Sequence, residues 1–132
     1  MKQIKMNGQE VNIIYCLATE TGYEQISGKV ASDMFNPVFT YDNEGKVEKA
    51  DPPLAKNEDY VTLGYASIVA AYTKDKQQPP ITMDYLMYDA TPVEITELIA
   101  SVVELRNEWY KVPDVVKPET KKDKKPGKVK NA

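Results

Sequence analysis

The chain contains no histidine and a single cysteine, Cys16. Lacking histidine, it lacks the commonest general base, the usual catalytic partner of serine or cysteine, and the usual zinc ligand set. A lone cysteine forms no internal disulfide. Cys16 lies where an apolar strand runs into a helix, which predicts a buried structural thiol. No apolar run approaches the ~20 residues needed to cross a bilayer. The opening Met1-Lys2-Gln3-Ile4-Lys5 has none of the apolar stretch of a signal peptide. A chain that stays in the cytosol, away from membranes, is expected.

Chemistry-bearing motifs are equally sparse. There is no Gly-rich phosphate loop and no nucleophile elbow. Asp42-Asn43-Glu44-Gly45 has the flavour of a calcium loop but lacks the full acidic spacing and the terminal glutamate, so it reads as a polar turn. Asp84 and Asp89 flank Tyr85-Leu86-Met87-Tyr88, and no pocket motif accompanies them; a solvated face is the reading. No enzyme activity and no cofactor or metal are expected.

What is present fits one modest domain. Of the 132 residues, 42% are hydrophobic and 28% charged, ordinary values for a globular chain. Residues 1–112 carry a net −7 and residues 113–132 a net +4, against −3 overall. An acidic body repels a phosphate backbone, so no specific nucleic-acid binding is expected; the tail alone offers a weak, sequence-blind attraction. Lysine, proline and glycine dominate residues 113–132, which predicts a disordered tail.

Along the chain, Ile4 and Met6 alternate with polar residues, Asn7-Gly8 has the chemistry of a type I′ turn, and Val11, Ile13 and Tyr15 share a face. This predicts a β-hairpin over 2–15. A helix over 17–27 follows, with Leu17, Tyr23 and Ile26 on one stripe and Gly28 as its C-terminal cap. A short helical turn is expected from Ala31 to Phe35. Residues 38–56 fit either a second hairpin or a surface loop. Asn57 is expected to cap a helix over 58–74, buried on nearly all sides, where Gly64, Ala66, Ala70 and Ala71 permit close approach. Thr82 opens a short helix over 83–89. Thr91-Pro92-Val93-Glu94 is a capping box that starts a helix over 92–111, with Ile95, Leu98, Ile99, Val102, Leu105 and Trp109 on one stripe. The fold class is therefore α+β: an N-terminal β-hairpin, then a mainly helical compact domain.

Tyrosine is the unusual residue, with nine copies against two phenylalanines. Such residues are either half-buried edges of the core or contact residues for a partner. Tyr65, Tyr72, Met83, Tyr85, Met87 and Tyr88 are the candidates for partner binding, methionine being adaptable at such surfaces.

The order of these features resembles the tail assembly chaperones of long-tailed bacteriophages and prophages. The matching stretches are the hairpin from Lys2 to Val11 and Leu17 to Lys29, a helix ending in a Gly-Lys turn. Leu63-Gly64-Tyr65-Ala66-Ser67-Ile68-Val69-Ala70-Ala71 and Ile81-Thr82-Met83-Asp84-Tyr85-Leu86 complete the pattern. The stretch from Phe39 to Lys56 departs from it, since that link is often shorter or helical in the family. The resemblance implies a protein of the bacterial host cytoplasm that binds the tape-measure protein and keeps it soluble while tube subunits polymerise. It implies no cofactor, allows the tail tube protein as a further partner, and leaves open whether this chain has the longer form that family members often make by ribosomal frameshifting. Two rival expectations stand beside it: a structural, self-assembling subunit of a phage particle, and a small adaptor whose basic tail attracts nucleic acid. Oligomeric state is open.

Overall fold

Asn7 and Gly8 have φ of 54° and 77°, the left-handed values that a two-residue type I′ turn requires. The turn joins β1 (Lys2–Met6) to β2 (Gln9–Ile13), paired antiparallel with Ile4 opposite Val11. Strand alternation then places Ile4, Met6, Val11 and Ile13 on one face, and all four are buried. The computed structural model describes residues 1–111; the tail expected at 113–132 lies outside the described residues.

Helix α1 (Leu17–Ser27) ends as expected at Gly28, whose φ is 74° and whose N–H donates to the Glu24 carbonyl. Its buried face differs from the expected stripe. Thr19 and Tyr23 are buried, whereas Leu17 and Ile26 are exposed. The Thr19 hydroxyl sets this rotation by donating to the Ile14 carbonyl at 3.0 Å and accepting from the Cys16 N–H at 3.2 Å. The polar residue is thereby drawn inward, and the large apolar ones on the other side are turned to water. Cys16 itself is half-buried rather than buried.

A 3-10 turn spans Ala31–Met34. The segment after it forms a second hairpin, so the loop alternative falls away. Strands β3 (Val38–Tyr41) and β4 (Val47–Asp51) pair antiparallel, with an irregularity between Thr40 and Tyr41. Its turn is closed by Asp42, whose carboxylate accepts from the N–H groups of Glu44 and Lys46, both at 2.9 Å. That aspartate is engaged by its own backbone, as a polar turn demands.

Helix α2 (Asn57–Thr73) is capped by Lys56 and not by Asn57. Asp59, three residues past the cap, reaches back to accept from the Lys56 N–H at 2.9 Å. The acid at the third helical position does the capping, so Asn57 is left as the first helical residue. The helix is buried on most sides, as expected, from Val61 through Ala71.

The short helix expected over 83–89 is present: it begins with α-helical Met83 and Asp84 and continues as a π-helical turn over Tyr85–Asp89. The Ala90 N–H donates to the Tyr85 carbonyl at 2.8 Å, five residues back. Helix α3 (Pro92–Trp109) opens on the expected capping box: the Glu94 N–H donates to Thr91 Oγ1, and the Thr91 N–H donates to Glu94. Leu98 and Val102 are buried, while Trp109, expected on the same stripe, is exposed at the helix end.

Helix α2 stands at the centre, with α1, β2 and α3 packed around it and β1 lying against α3. One core cluster joins the inner face of the first hairpin to Val61, Ile68, Ile81, Leu86 and Leu98. The other joins Tyr15, Tyr23, Met34, Leu63 and Val102. Gly64 permits the α2–α3 approach, because a Cβ there would sit 2.7 Å from the Leu98 side chain.

Candidate partner-binding surface

The six tyrosines and methionines singled out from sequence divide into two groups. Tyr65, Tyr72, Met83 and Tyr85 are half-buried and pack against the first core cluster. Tyr72 accepts a hydrogen bond from the Asn12 N–H at 3.1 Å, which ties α2 to β2. Tyr85 donates to Glu94 at 2.8 Å. These four serve the fold. Met87 and Tyr88 do not: Met87 is 45% exposed and Tyr88 83%.

The turn that presents them is held through its first residue, Tyr85. Thr82 Oγ1 accepts from the Tyr85 N–H at 3.1 Å, and the Tyr85 hydroxyl pins the turn to the first turn of α3 through Glu94. Tyr88 therefore projects from a braced element rather than from a slack loop. Beyond it, Pro92, Val93, Thr96, Glu97 and Ala100 form a stripe on the outer side of α3, opposite the buried Leu98 and Val102. Val93 is 76% exposed. Asp84 and Asp89 are both exposed on the turn, as a solvated face requires.

Two other apolar surfaces were not singled out from sequence. The β3–β4 register sets Phe39 opposite Ala50 and Tyr41 opposite Val47. Opposed residues share a face of a sheet, so these four form one apolar side of the ribbon, with Val38, Thr40, Lys49 and Asp51 on the other. All four are exposed, and β3 and β4 pack substantially only on each other. The signal was present in the alternation of residues 38–41, but a strand pattern does not say whether its apolar face meets a core. A second surface is a groove of about 270 Å³ between α1 and α2, lined by Ala18, Gly22, Ile26, Ala66, Val69 and Ala70 among others. The exposed Ile26 belongs to it, a consequence of the rotation of α1.

The more polar cleft, about 430 Å³, lies between the C-terminal end of α1 and the residues leading into α2, and is lined by Tyr23, Lys29, Met34, Leu54 and Asp59 among others. Asp59 is buried there and accepts from Lys29 Nζ at 2.9 Å as well as from the Lys56 N–H. Burial alone would raise its pKa; the Lys56 N–H and the Lys29 ammonium outweigh that and hold it below the ordinary value of 3.8. An aspartate so engaged is a structural anion and a poor proton acceptor. Near the end of α3, Glu20 accepts from the hydroxyls of Tyr15 at 2.8 Å and Tyr110 at 2.6 Å. Arg106 stacks over Phe35 at 3.8 Å and over Tyr110 at 4.4 Å. Burial, then the Glu20 hydrogen bond, push the Tyr15 hydroxyl far above its ordinary value. This cluster locks α1 to α3.

Among the described residues, no group of three or more metal-ligating side chains converges, and no helix is long and apolar enough to cross a membrane. No protein-family model, curated protein or solved structure matches the chain.

Proposed function

We propose that this chain is a binding protein which holds a helical partner, and specifically a tail assembly chaperone that keeps the phage tape-measure protein soluble during tail tube assembly. The observation that carries the reading is Tyr88, 83% exposed beside Met87 on a turn braced by Thr82 and Glu94. A rigid aromatic held out to water on a fixed scaffold loses little entropy on contact and removes much apolar area from water. The groove between α1 and α2 adds a second apolar surface of the kind an amphipathic helix enters. The test is co-expression with the large, helix-rich tape-measure product that this reading expects to be encoded immediately downstream. The reading expects that product to move into the soluble fraction and to co-purify with this chain. A product that stays insoluble with this chain present rejects the chaperone role.

A second reading, a self-assembling particle subunit, is favoured by one observation. The β3–β4 ribbon has an uncovered apolar face in Phe39, Tyr41, Val47 and Ala50. Two-stranded ribbons are marginal alone and are stabilised by covering such a face or extending such an edge. Sedimentation over a range of concentration separates the two readings, since self-assembly demands a rising mass.

A further inference from the structure

The structure points to a cationic amphipathic helix of a partner polypeptide as the occupant of the outer face formed by the π turn and α3. This inference rests on the reading of the chain as a protein that holds a helical partner, and names the chemistry of what is held. From Gln77 to Leu105 the sequence has no lysine or arginine, while Asp84, Asp89, Glu94, Glu97 and Glu104 are all acidic. Two of these five are engaged. Glu94 is hydrogen-bonded to Asn7, Thr91 and Tyr85, and Glu104 pairs with Lys2. Asp84, Asp89 and Glu97 are exposed and form no ion pair among the described residues.

Those three acids flank apolar side chains: Met87 and Tyr88 on the turn, Val93 and Ala100 on the helix. From Val93 to Ala100 the stripe covers about two helical turns, roughly 10 Å. An apolar strip bordered by carboxylates that form no ion pair among the described residues complements a helix whose apolar stripe is bordered by lysine or arginine. It discriminates against acidic helices, because like charges brought together at an interface are costly. Nucleic acid is repelled by the same charges.

The chain's own tail is the competing source of cations. Residues 113–132 contain seven lysines, but their only large apolar residues are Val115, Val116 and Val129, and Pro113, Pro118 and Pro126 interrupt any helical repeat. The tail offers charge without an apolar stripe, so the occupant is a partner in trans.

The test uses the full chain and two synthetic helical peptides of about 18 residues, a length that forms a helix on docking. Both carry one leucine stripe, flanked by lysine in one peptide and by glutamate in the other. Fluorescence anisotropy is expected to show the lysine peptide binding about tenfold tighter or better at low salt, with the gap narrowing as salt screens the contact. Joint replacement Asp84→Lys, Asp89→Lys and Glu97→Lys is expected to reverse the preference. Tyr88→Ala with Val93→Ser is expected to weaken both peptides about tenfold. Equal affinity for the two peptides, or variants that change neither, overturns the inference. A full chain with its seven tail lysines changed to glutamine that binds the lysine peptide about tenfold tighter marks the tail as occupant, and also overturns it. If the lysine peptide fails to bind while the downstream product is still held soluble, this inference falls and the chaperone reading stands. If it binds while that product is not held, the reverse follows.

Discussion

The Glu94 carboxylate accepts a hydrogen bond from the backbone N–H of Asn7 at 2.8 Å, across 87 positions of sequence. It also accepts from the Thr91 N–H at 2.9 Å and the Tyr85 hydroxyl at 2.8 Å. One side chain thus joins the first hairpin's turn, the π turn and the start of α3. Glu94→Ala leaves those donors to water or to nothing, and a loss of about 1–3 kcal/mol in urea unfolding is expected. Thr91→Ala removes only the cap and is expected to cost about 1 kcal/mol. Equal effects of the two would deny Glu94 its wider role.

Acid should expose the same contact. The Thr91 N–H, then the Asn7 N–H and the Tyr85 hydroxyl, hold the Glu94 pKa below its ordinary value of 4.5. A depressed folded-state pKa gives stability that is complete above the unfolded value and is lost as pH falls through the folded one. Melting temperature is therefore expected to decline below about pH 4.5, and the decline to be shallower in Glu94→Gln. Asp59, also depressed, leaves a residual slope in that variant. Parallel curves for wild type and Glu94→Gln would remove Glu94 from the account.

The α2–α3 crossing makes its own demand. A Cβ at Gly64 would stand 2.7 to 3.0 Å from three atoms of the fully buried Leu98 side chain. Gly64→Ala gains helix propensity yet overpacks the contact, for an expected net loss of about 1–3 kcal/mol. Leu98→Ala alone opens a cavity, at about 2–5 kcal/mol. The double variant should then be more stable than the sum of the two losses implies. Simple additivity in a urea-monitored cycle would contradict the packing described.

For the second hairpin the expectation is the opposite. Phe39 and Tyr41 lie on an exposed face, so Phe39→Lys and Tyr41→Lys should each change unfolding free energy by less than about 0.5 kcal/mol. Any self-association seen by sedimentation should weaken in the same variants. A loss of several kcal/mol would place this face inside the fold.

Local chemistry explains which parts of this fold were legible. Asn7-Gly8, Gly28 and the Thr91 to Glu94 box each encode one backbone arrangement through residues adjacent in sequence, and each appears where expected. The rotation of α1 was not legible, because it depends on Thr19 meeting the Ile14 carbonyl, a choice that hydrophobic periodicity ranks below Leu17 and Ile26. The π turn was hidden for a related reason: its extra residue is stabilised by Tyr85 reaching Glu94, a contact between separate elements. Among the candidate contact residues, composition favoured tyrosines and methionines alike. Only packing separates Tyr72, bound to the Asn12 N–H, from Tyr88, which faces water.

The most direct test of the central claim compares the wild-type chain with the joint Met87→Asp and Tyr88→Asp variant in co-expression with the helix-rich downstream product. Circular dichroism and melting temperature should be nearly the same for the two chains, since both side chains are exposed. The account predicts that the wild type captures that product and keeps it soluble, and that the variant loses capture by tenfold or more, in the range of a lost interface hot spot. Capture by the variant equal to that of the wild type would contradict the assignment of this face.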